Sequence, residues 1–223
     1  PIQSMYDPDY IFEQQEAGHM YRSVVVDREG RVLAHQALYR TSAHWKCIYE
    51  EGQGMVLPEY RGKGLNNLTM AYDHEVVVPQ VGIPEIWGEA VANHIFMQKT
   101  CMTFGWYETG IELDLMPALS YAKSGASSGR VSSVLVFKTF VDRHQQLFIP
   151  LCYLDIIENI CRKAGKEHRL KPVDGSVFSG GQTDITMDFF EQAGVARSTV
   201  LDAGPDFPTH FLEKERQMDD LGA

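Results

Sequence analysis

The sequence has no run of Lys and Arg, no CxxC pair and no apolar stretch approaching the roughly 18 residues a membrane-spanning helix needs. Each absence removes a class of function. Asp and Glu (30) outnumber Lys and Arg (20), for a formal net charge of -10. Nucleic-acid binders carry a basic face, so neither nucleic acid nor a membrane surface is expected as a partner. The four cysteines, Cys47, Cys101, Cys152 and Cys161, form no regular framework. Reduced thiols in a cytoplasmic protein are the expectation. No basic n-region precedes an apolar h-region, so a secretory leader is not read. The chain opens on Pro1 rather than Met, which reads as processing or trimming. What is present is globular in character: 44% hydrophobic and 22% charged residues over 223 positions, enough for one ordinary core or one and a half smaller ones.

Hydrophobic periodicity and turn residues divide the chain into elements. Asp7 to Ala17 reads as a helix, with Asp7 as N-cap before Pro8 and Gly18 as its stop. "YRSVVVDREGRVLAHQALY" reads as two strands around the turn Asp27-Arg28-Glu29-Gly30. A third strand, Lys46 to Leu57, contains Gly52 and Gly54, which weaken a strand and mark a bulge. Leu65, Leu68, Tyr72 and Val76 then have helical spacing, and Pro79 is expected to stop that helix. "EIWGEAVAN" reads as a strand and "IFMQKTCMTF" as a helix closed by Gly105. Strands follow near Trp106 to Leu115 and Val131 to Val141, separated by the Gly/Ser loop "KSGASSG". The order is an α+β pattern with one crossover helix.

Between the third strand and its helix stands "VLPEYRGKGLNN", Val56 to Asn67. A strand that hands directly to a helix leaves the first helical N–H groups unpaired, and their partial positive charge suits a phosphate. Gly62 and Gly64 allow close backbone approach to an anion, and Arg61 and Lys63 add cationic donors. A plain turn with solvated charges is the competing reading. The spacing excludes a P-loop, because Leu57 stands at the first Gly position and Gly64 follows Lys63. It also excludes the dinucleotide fingerprint, because Asn67 stands where the third Gly belongs.

The stretch resembles the acyl-CoA loop of the GNAT-type (GCN5-related) N-acetyltransferase superfamily, Arg/Gln-x-x-Gly-x-Gly/Ala at a strand–helix junction. Arg61, Gly64 and Asn66 occupy its three positions, with Asn66 departing from the usual small residue. "EEGQGMVLP" resembles the family's central strand, and "IWGEAVANHIFMQKTCMTFGWYETG" its fifth strand, fourth helix and following junction. The pattern covers about Tyr6 to Val141. The resemblance implies a mixed, mostly antiparallel sheet whose central strands splay apart to admit acyl-CoA. It further implies a main-chain donor near Val56 for the thioester carbonyl, the pyrophosphate on Arg61, Gly62, Lys63, Gly64, Leu65 and Asn66, and a contact from Asn93. Asn93 reads equally as a helix N-cap. Transfer to an amine needs a base, and strand alternation points one of Glu50 and Glu51 into the cleft, with Glu50 the better match. The family's usual general acid is a tyrosine at the position of Cys101. A thiol can protonate a thiolate of similar pKa, although buried packing is the commoner role of such a cysteine.

Three other patterns carry less. Gly125 to Gly129 spells G-x-S-x-G but lacks the strand before and helix after that a nucleophile elbow requires. His74-Glu75 opens a zinc-protease motif that Val78 breaks, so no metal is expected. His94 adjoins the cleft strand and reads as a cap or exposed neighbour.

The expected organisation is a GNAT-like acyl-CoA-binding domain over 1–145 and a partial, degenerate second GNAT-like α/β unit over 146–223. In the second block, Leu151 to Gly165 reads as a helix, "SVFSGGQTDITMDFFEQAGVARSTVLDAG" as two or three strands, and Pro208 to Leu221 as a final helix. "VLDAGPDFPTHF" is its strand-to-helix junction, offering carboxylates that repel pyrophosphate. The block reads as a packing partner, a dimer surface or a lid, completed by missing residues or another chain. The functional expectation is acetyl transfer from acetyl-CoA to a small-molecule or peptide amine, by direct attack in a ternary complex. A non-catalytic acyl-CoA-binding or regulatory module is the alternative.

Overall fold

A computed structural model describes residues 3–40, 48–118, 129–174, 181–191 and 194–220. It divides into two compact units, Gln3–Asp114 with Val131–Arg143, and Leu115–Arg130 with His144–Ala223 and the first two residues. Cys47, the start of the third expected strand, and Gly125 to Ser128 lie outside the described residues.

In the first unit, α1 (Pro8–Glu16) begins where Asp7 accepts a hydrogen bond from the Asp9 N–H at 3.0 Å. That is an N-cap satisfying one of the orphan donors of the first turn. Strands β1 (Met20–Val26) and β2 (Val32–Tyr39) form the expected hairpin, its turn held by Asp27, whose carboxylate accepts from the N–H groups of Glu29 and Arg31. β3 (Ile48–Val56) pairs antiparallel with β2. The register slips between His35↔Met55 and Ala37↔Gly52, so Gln53 and Gly54 together face Gln36. The glycines thus mark a bulge, as their sequence positions imply. Gln53 takes φ 55°, a left-handed conformation rare outside glycine, and its carbonyl lies 3.0 Å from His35 Nδ1.

Helix α2 (Leu65–Tyr72) follows, then a π-helical turn, Asp73–Val77, and a short α3 (Val78–Val81). Pro79 therefore does not stop the helix: it sits in the first turn of α3, where its missing N–H is not needed. The buried face also differs from the apolar stripe in the sequence. Leu68 and Tyr72 are more than half exposed, while Thr69, Met70, Asp73, His74 and Val78 are buried. A hydrophobic count cannot find a face that is half polar. β4 (Glu85–Val91), α4 (Phe96–Thr103), β5 (Tyr107–Met116) and β6 (Val131–Thr139) complete a six-stranded sheet in the order β1-β2-β3-β4-β6-β5.

β3 and β4 run parallel, joined by the α2–α3 crossover. Leu38, Tyr49, Met70, Val78, Ile86, Cys101 and Trp106 share one core on the helix-covered face. Each large apolar side chain there contributes about 1.5–3 kcal/mol by leaving water.

The second unit contains a parallel pair, β7 (Gln146–Pro150) and β8 (Arg169–Val173), linked by a 3₁₀ turn and α5 (Leu154–Lys163). These two strands are not read from the sequence, because Pro150, Pro172 and the basic residues around β8 suppress strand signal. This crossover repeats the strand–3₁₀ turn–helix–parallel strand order of β3 to β4. The unit also has an antiparallel pair, β9 (Asp184–Phe190) and β10 (Val195–Asp202), and then α6 (Phe207–Asp220). At the junction before α6, Asp206 accepts from the Thr183 hydroxyl at 2.6 Å, and that hydroxyl accepts from the Gly204 N–H at 3.0 Å. The carboxylate there ties chain to chain.

Candidate active site

The β3–β4 ladder has three registered pairs, Ile48↔Glu85, Tyr49↔Ile86 and Glu50↔Trp87, and then stops. From Glu51 to Val56 the edge of β3 that faced β4 has no registered strand partner among the described residues, although β3 continues. The cause is the bulge at Gln53–Gly54, which bends β3 away just past the last pair. At the fork, a Cβ on Gly88 would lie 3.1 Å from the Glu51 carbonyl and 3.6 Å from the Trp106 ring. A glycine is needed for the strands to approach there before they part.

The open mouth leads to the glycine loop. Val56 ends β3, and Pro58–Tyr60 form a 3₁₀ turn. Gly62 and Gly64 take φ 75° and 76°, and Gly64 is the N-cap of α2 with no side-chain cap. The N–H groups of Leu65, Asn66 and Asn67 therefore have no acceptor within the helix, whose first such bond is Leu68 N–H to the Gly64 carbonyl at 3.2 Å. A Cβ at Gly62 or Gly64 would meet no atom within 4 Å, so the space above the loop is open. Arg61 is exposed, its Nε 3.4 Å from the Val56 carbonyl, and the Lys63 ammonium lies 4.6 Å from the Tyr60 ring centre. Asn66 turns inward: its Oδ1 is 3.1 Å from where a Gly54 Cβ would stand, so the helix start packs onto the bulge.

The two glutamates are both buried, on opposite faces, as alternation requires. Glu50 accepts from the Tyr39 hydroxyl at 2.6 Å. Glu51 lies on the helix-covered face, where it lines a small cavity with Gly88, Ala90, Met97, Cys101 and Trp106. Burial pushes its carboxyl up to about 8, against the opposing pull of the Lys138 ammonium and the Gln36 amide. Its Oε2 is 2.8 Å from His74 Nε2, and His74 Nδ1 is 3.2 Å from Lys138 Nζ. Lys138 also donates to the Phe104 carbonyl at 2.6 Å. Burial lowers His74 to about 4, helped by the nearby ammonium. Next to His74, Asp73 accepts from the Ser23 hydroxyl and is raised to about 7, again mainly by burial.

Cys101 is buried on α4 facing the same cavity, its thiol pushed up to about 12 by burial and by the Glu51 carboxyl. Asn93 is exposed in the turn after β4 and is not the cap of α4, whose N-cap position is Ile95. His94 is exposed as well. Among the described residues no group of His, Cys, Asp and Glu is placed to hold a metal ion. Sequence reasoning missed His74, Lys138 and Trp106. His74 entered only through a broken zinc motif, and Lys138 is one lysine in an apolar strand, whose sole signal is its inward register beside Val136 and Val134.

By sequence, no protein family and no curated protein matches the chain. By structure, it is similar to a ribosomal-protein-S5-alanine acetyltransferase from Vibrio fischeri, at TM-score 0.50 and 14% identity over 62% of this chain and 75% of that one. A ribosomal-protein-alanine N-acetyltransferase from Brucella melitensis (TM-score 0.49, 14% identity, 61% and 78% covered) and a spermidine N-acetyltransferase chimera from Vibrio cholerae (0.49, 12%, 59% and 73%) stand beside it. A mixed, mostly antiparallel sheet, a parallel pair that parts beyond its third register position, and the likeness to the Vibrio fischeri structure together give the chain the fold of the GNAT-type N-acetyltransferases.

Proposed function

We propose that the protein transfers an acyl group, in the first instance acetyl, from acyl-CoA to an amine by direct attack in a ternary complex. The observation that carries this reading is the coincidence of two openings. β3 leaves β4 after Glu50↔Trp87, and the same strand ends in a glycine loop that caps a helix with unpaired N–H groups. A phosphate on the amides of Gly62 to Asn66, with Arg61 and Lys63 beside it, directs the pantetheine arm toward the gap. Asn93, exposed past the end of β4, is a second contact for the cofactor. The unpaired edge of β3 toward Val56 supplies N–H donors for a thioester carbonyl, whose oxygen gains charge as the amine attacks.

The attacking amine must lose a proton. Glu50, one pair from the fork and oriented by the Tyr39 hydroxyl, is the assigned base, directly or through a water. The proteins of similar fold are named for acetylating ribosomal-protein alanine and spermidine. An acidic chain is compatible with a cationic amine such as these, or a lysine side chain.

A second reading, a CoA-binding module without turnover, is favoured by Cys101, because a thiol held near 12 is a weak acid for a leaving thiolate. Calorimetry with CoA and thiol detection across an amine panel separate the two. Thiol release that disappears in Glu50→Gln while CoA still binds supports the enzyme. Tight binding with no release from any amine supports the module, and absence of CoA binding removes both.

A further inference from the structure

Beneath the fork lies a cluster of titratable groups that anion binding and amine deprotonation leave unused. Glu51 comes from β3, Asp73, His74 and Glu75 from the π turn, Cys101 from α4 and Lys138 from β6. The hydrogen-bond directions follow from Lys138. A protonated ammonium can only donate, so at 3.2 Å it makes His74 Nδ1 the acceptor. The ring hydrogen then belongs on Nε2, which donates to Glu51 Oε2 at 2.8 Å. Phe104, Trp106 and Phe140 surround the ring at 5.5, 5.9 and 5.4 Å between centres, which keeps a second ring proton unfavourable. Oε2 is therefore filled. Oε1 is buried and makes no close hydrogen bond among the described residues, the Gln36 amide being the other polar group near the carboxyl, and the side chain lines the cavity shared with Cys101.

We propose that Glu51, positioned by His74 and Lys138, carries its proton on Oε1 and is the acid that protonates the departing CoA sulfur. This rests on the acyl-transfer reading above and assigns the task that the family resemblance gives to a tyrosine at position 101. In the step, the amine nitrogen bonds to the acyl carbon, the C–S bond breaks with its electron pair on sulfur, and the Glu51 O–H proton passes to that sulfur. The carboxylate left behind faces the His74 Nε2–H, with the Lys138 charge behind it. Solvent returns the proton after product leaves.

The energetics favour Glu51 over its neighbour. An acid near 8 matches a thiol of about 8.5, so transfer is close to thermoneutral. Transfer from a Cys101 thiol held near 12 is uphill by a factor of about three thousand. Asp73 is engaged by Ser23, and Glu75 is exposed on the outer side of the turn.

The test uses the full chain and acetyl-CoA. Infrared titration should show two protonated-carboxyl components, one lost near 7 from Asp73 and one lost with a midpoint near 8, and only the second is absent in Glu51→Gln. Thiol release, with each amine and with water alone, should lose its rate above that same midpoint and fall about 10²-fold or more in Glu51→Gln. Lys138→Met, which removes the charge that lowers Glu51, should move the midpoints of the second component and of the rate upward, whereas Cys101→Ala should leave them in place. His74→Gln should lower kcat with little change in KM. An absent second component, a Glu51→Gln enzyme with unchanged rate and alkaline limb, or CoA binding without thiol release even to water overturns the proposal. If wild-type protein fails to bind CoA, the acyl-transfer reading itself fails, and the second component then reports only a buried acid.

Discussion

Glu51→Gln should change how stability depends on pH in a direction opposite to ordinary carboxylates. The unfolded carboxyl titrates near 4.5 and the folded one near 8. Folding therefore takes up a proton between these values. The stability associated with Glu51 is complete below pH 4.5 and is lost as pH rises through 8. From pH 5.5 to 7.5 the unfolded group is ionised and the folded one protonated, a difference of close to one proton. At about 1.4 kcal/mol per pH unit this amounts to roughly 2–3 kcal/mol across the interval. Glutamine keeps the shape and the acceptor for His74 but does not titrate. Asp73, raised to about 7, has the same sign as Glu51. His74, lowered to about 4, has the opposite sign, its contribution present above 6.5 and lost as pH falls toward 4. Both remain in the variant, and because the Glu51 charge is one cause of the Asp73 shift, the difference between the two proteins reports Glu51 together with its coupling to Asp73. Urea unfolding of each at pH 5.5, 6.5 and 7.5 measures it, with m-values checking that the unfolded states match. The variant should gain roughly 2–3 kcal/mol on wild type over that range. Parallel curves would show that Glu51 is ionised in the folded protein, and the account of its environment would be wrong.

Three further outcomes follow from the loop and the fork. Gly64→Ala meets no atom but forces a Cβ onto φ 76°, which should cost about 1–2 kcal/mol in urea unfolding and weaken CoA binding in calorimetry. Gly88→Ala places a Cβ 3.1 Å from the Glu51 carbonyl, a backbone atom with little room to yield; about 1–3 kcal/mol of destabilisation is expected, with cross-peaks of β3 and β4 amides shifting in NMR. Arg61→Ala, at an exposed position, should leave stability within about 0.5 kcal/mol. It should weaken CoA binding roughly tenfold at low salt, and the deficit should shrink as salt is added.

The elements that form the sheet were legible because their signals are local. The Asp27 turn, the glycines of the bulge and the Gly62–Gly64 pair each state a backbone requirement that few residue types can meet. The bulge shows the reach of such reasoning: Gly52 and Gly54 predict where the strand bends, and the bend is what ends the ladder with β4. What was not legible depends on partners distant in sequence. Whether Glu50 or Glu51 faces the helices is a question of register with β2 and β4, and alternation alone leaves it open. The buried face of α2 and its π turn includes Asp73 and His74, which become inner residues only because Ser23, Glu51 and Lys138 meet them there. Hydrophobic periodicity chose Leu68 and Tyr72 instead, and both are exposed. In the second unit, β7 and β8 were missed because a proline ends one and interrupts the other, a penalty that a short parallel pair backed by a helix overrides.

Cys101, where the resemblance implies a tyrosine, and the role proposed for Glu51 are most simply understood together. A tyrosine on α4 at position 101 would project its hydroxyl toward the cavity that the Glu51 side chain already lines. Two proton donors aimed at one small space are redundant, and a buried acid beside a large phenol would crowd the fork that Gly88 keeps narrow. Cysteine is small and holds its proton, so it leaves room without competing. The carboxyl then needs support of its own, because an isolated buried acid is free to turn either oxygen inward. His74 and Lys138 remove that freedom by filling Oε2. The proton is thereby left to Oε1, and its acidity is set by the balance of burial against one ammonium and the Gln36 amide. On this account a single residue change on α4 has consequences in the π turn and on β6. Two buried polar residues and a half-buried lysine would otherwise only weaken the core they adjoin.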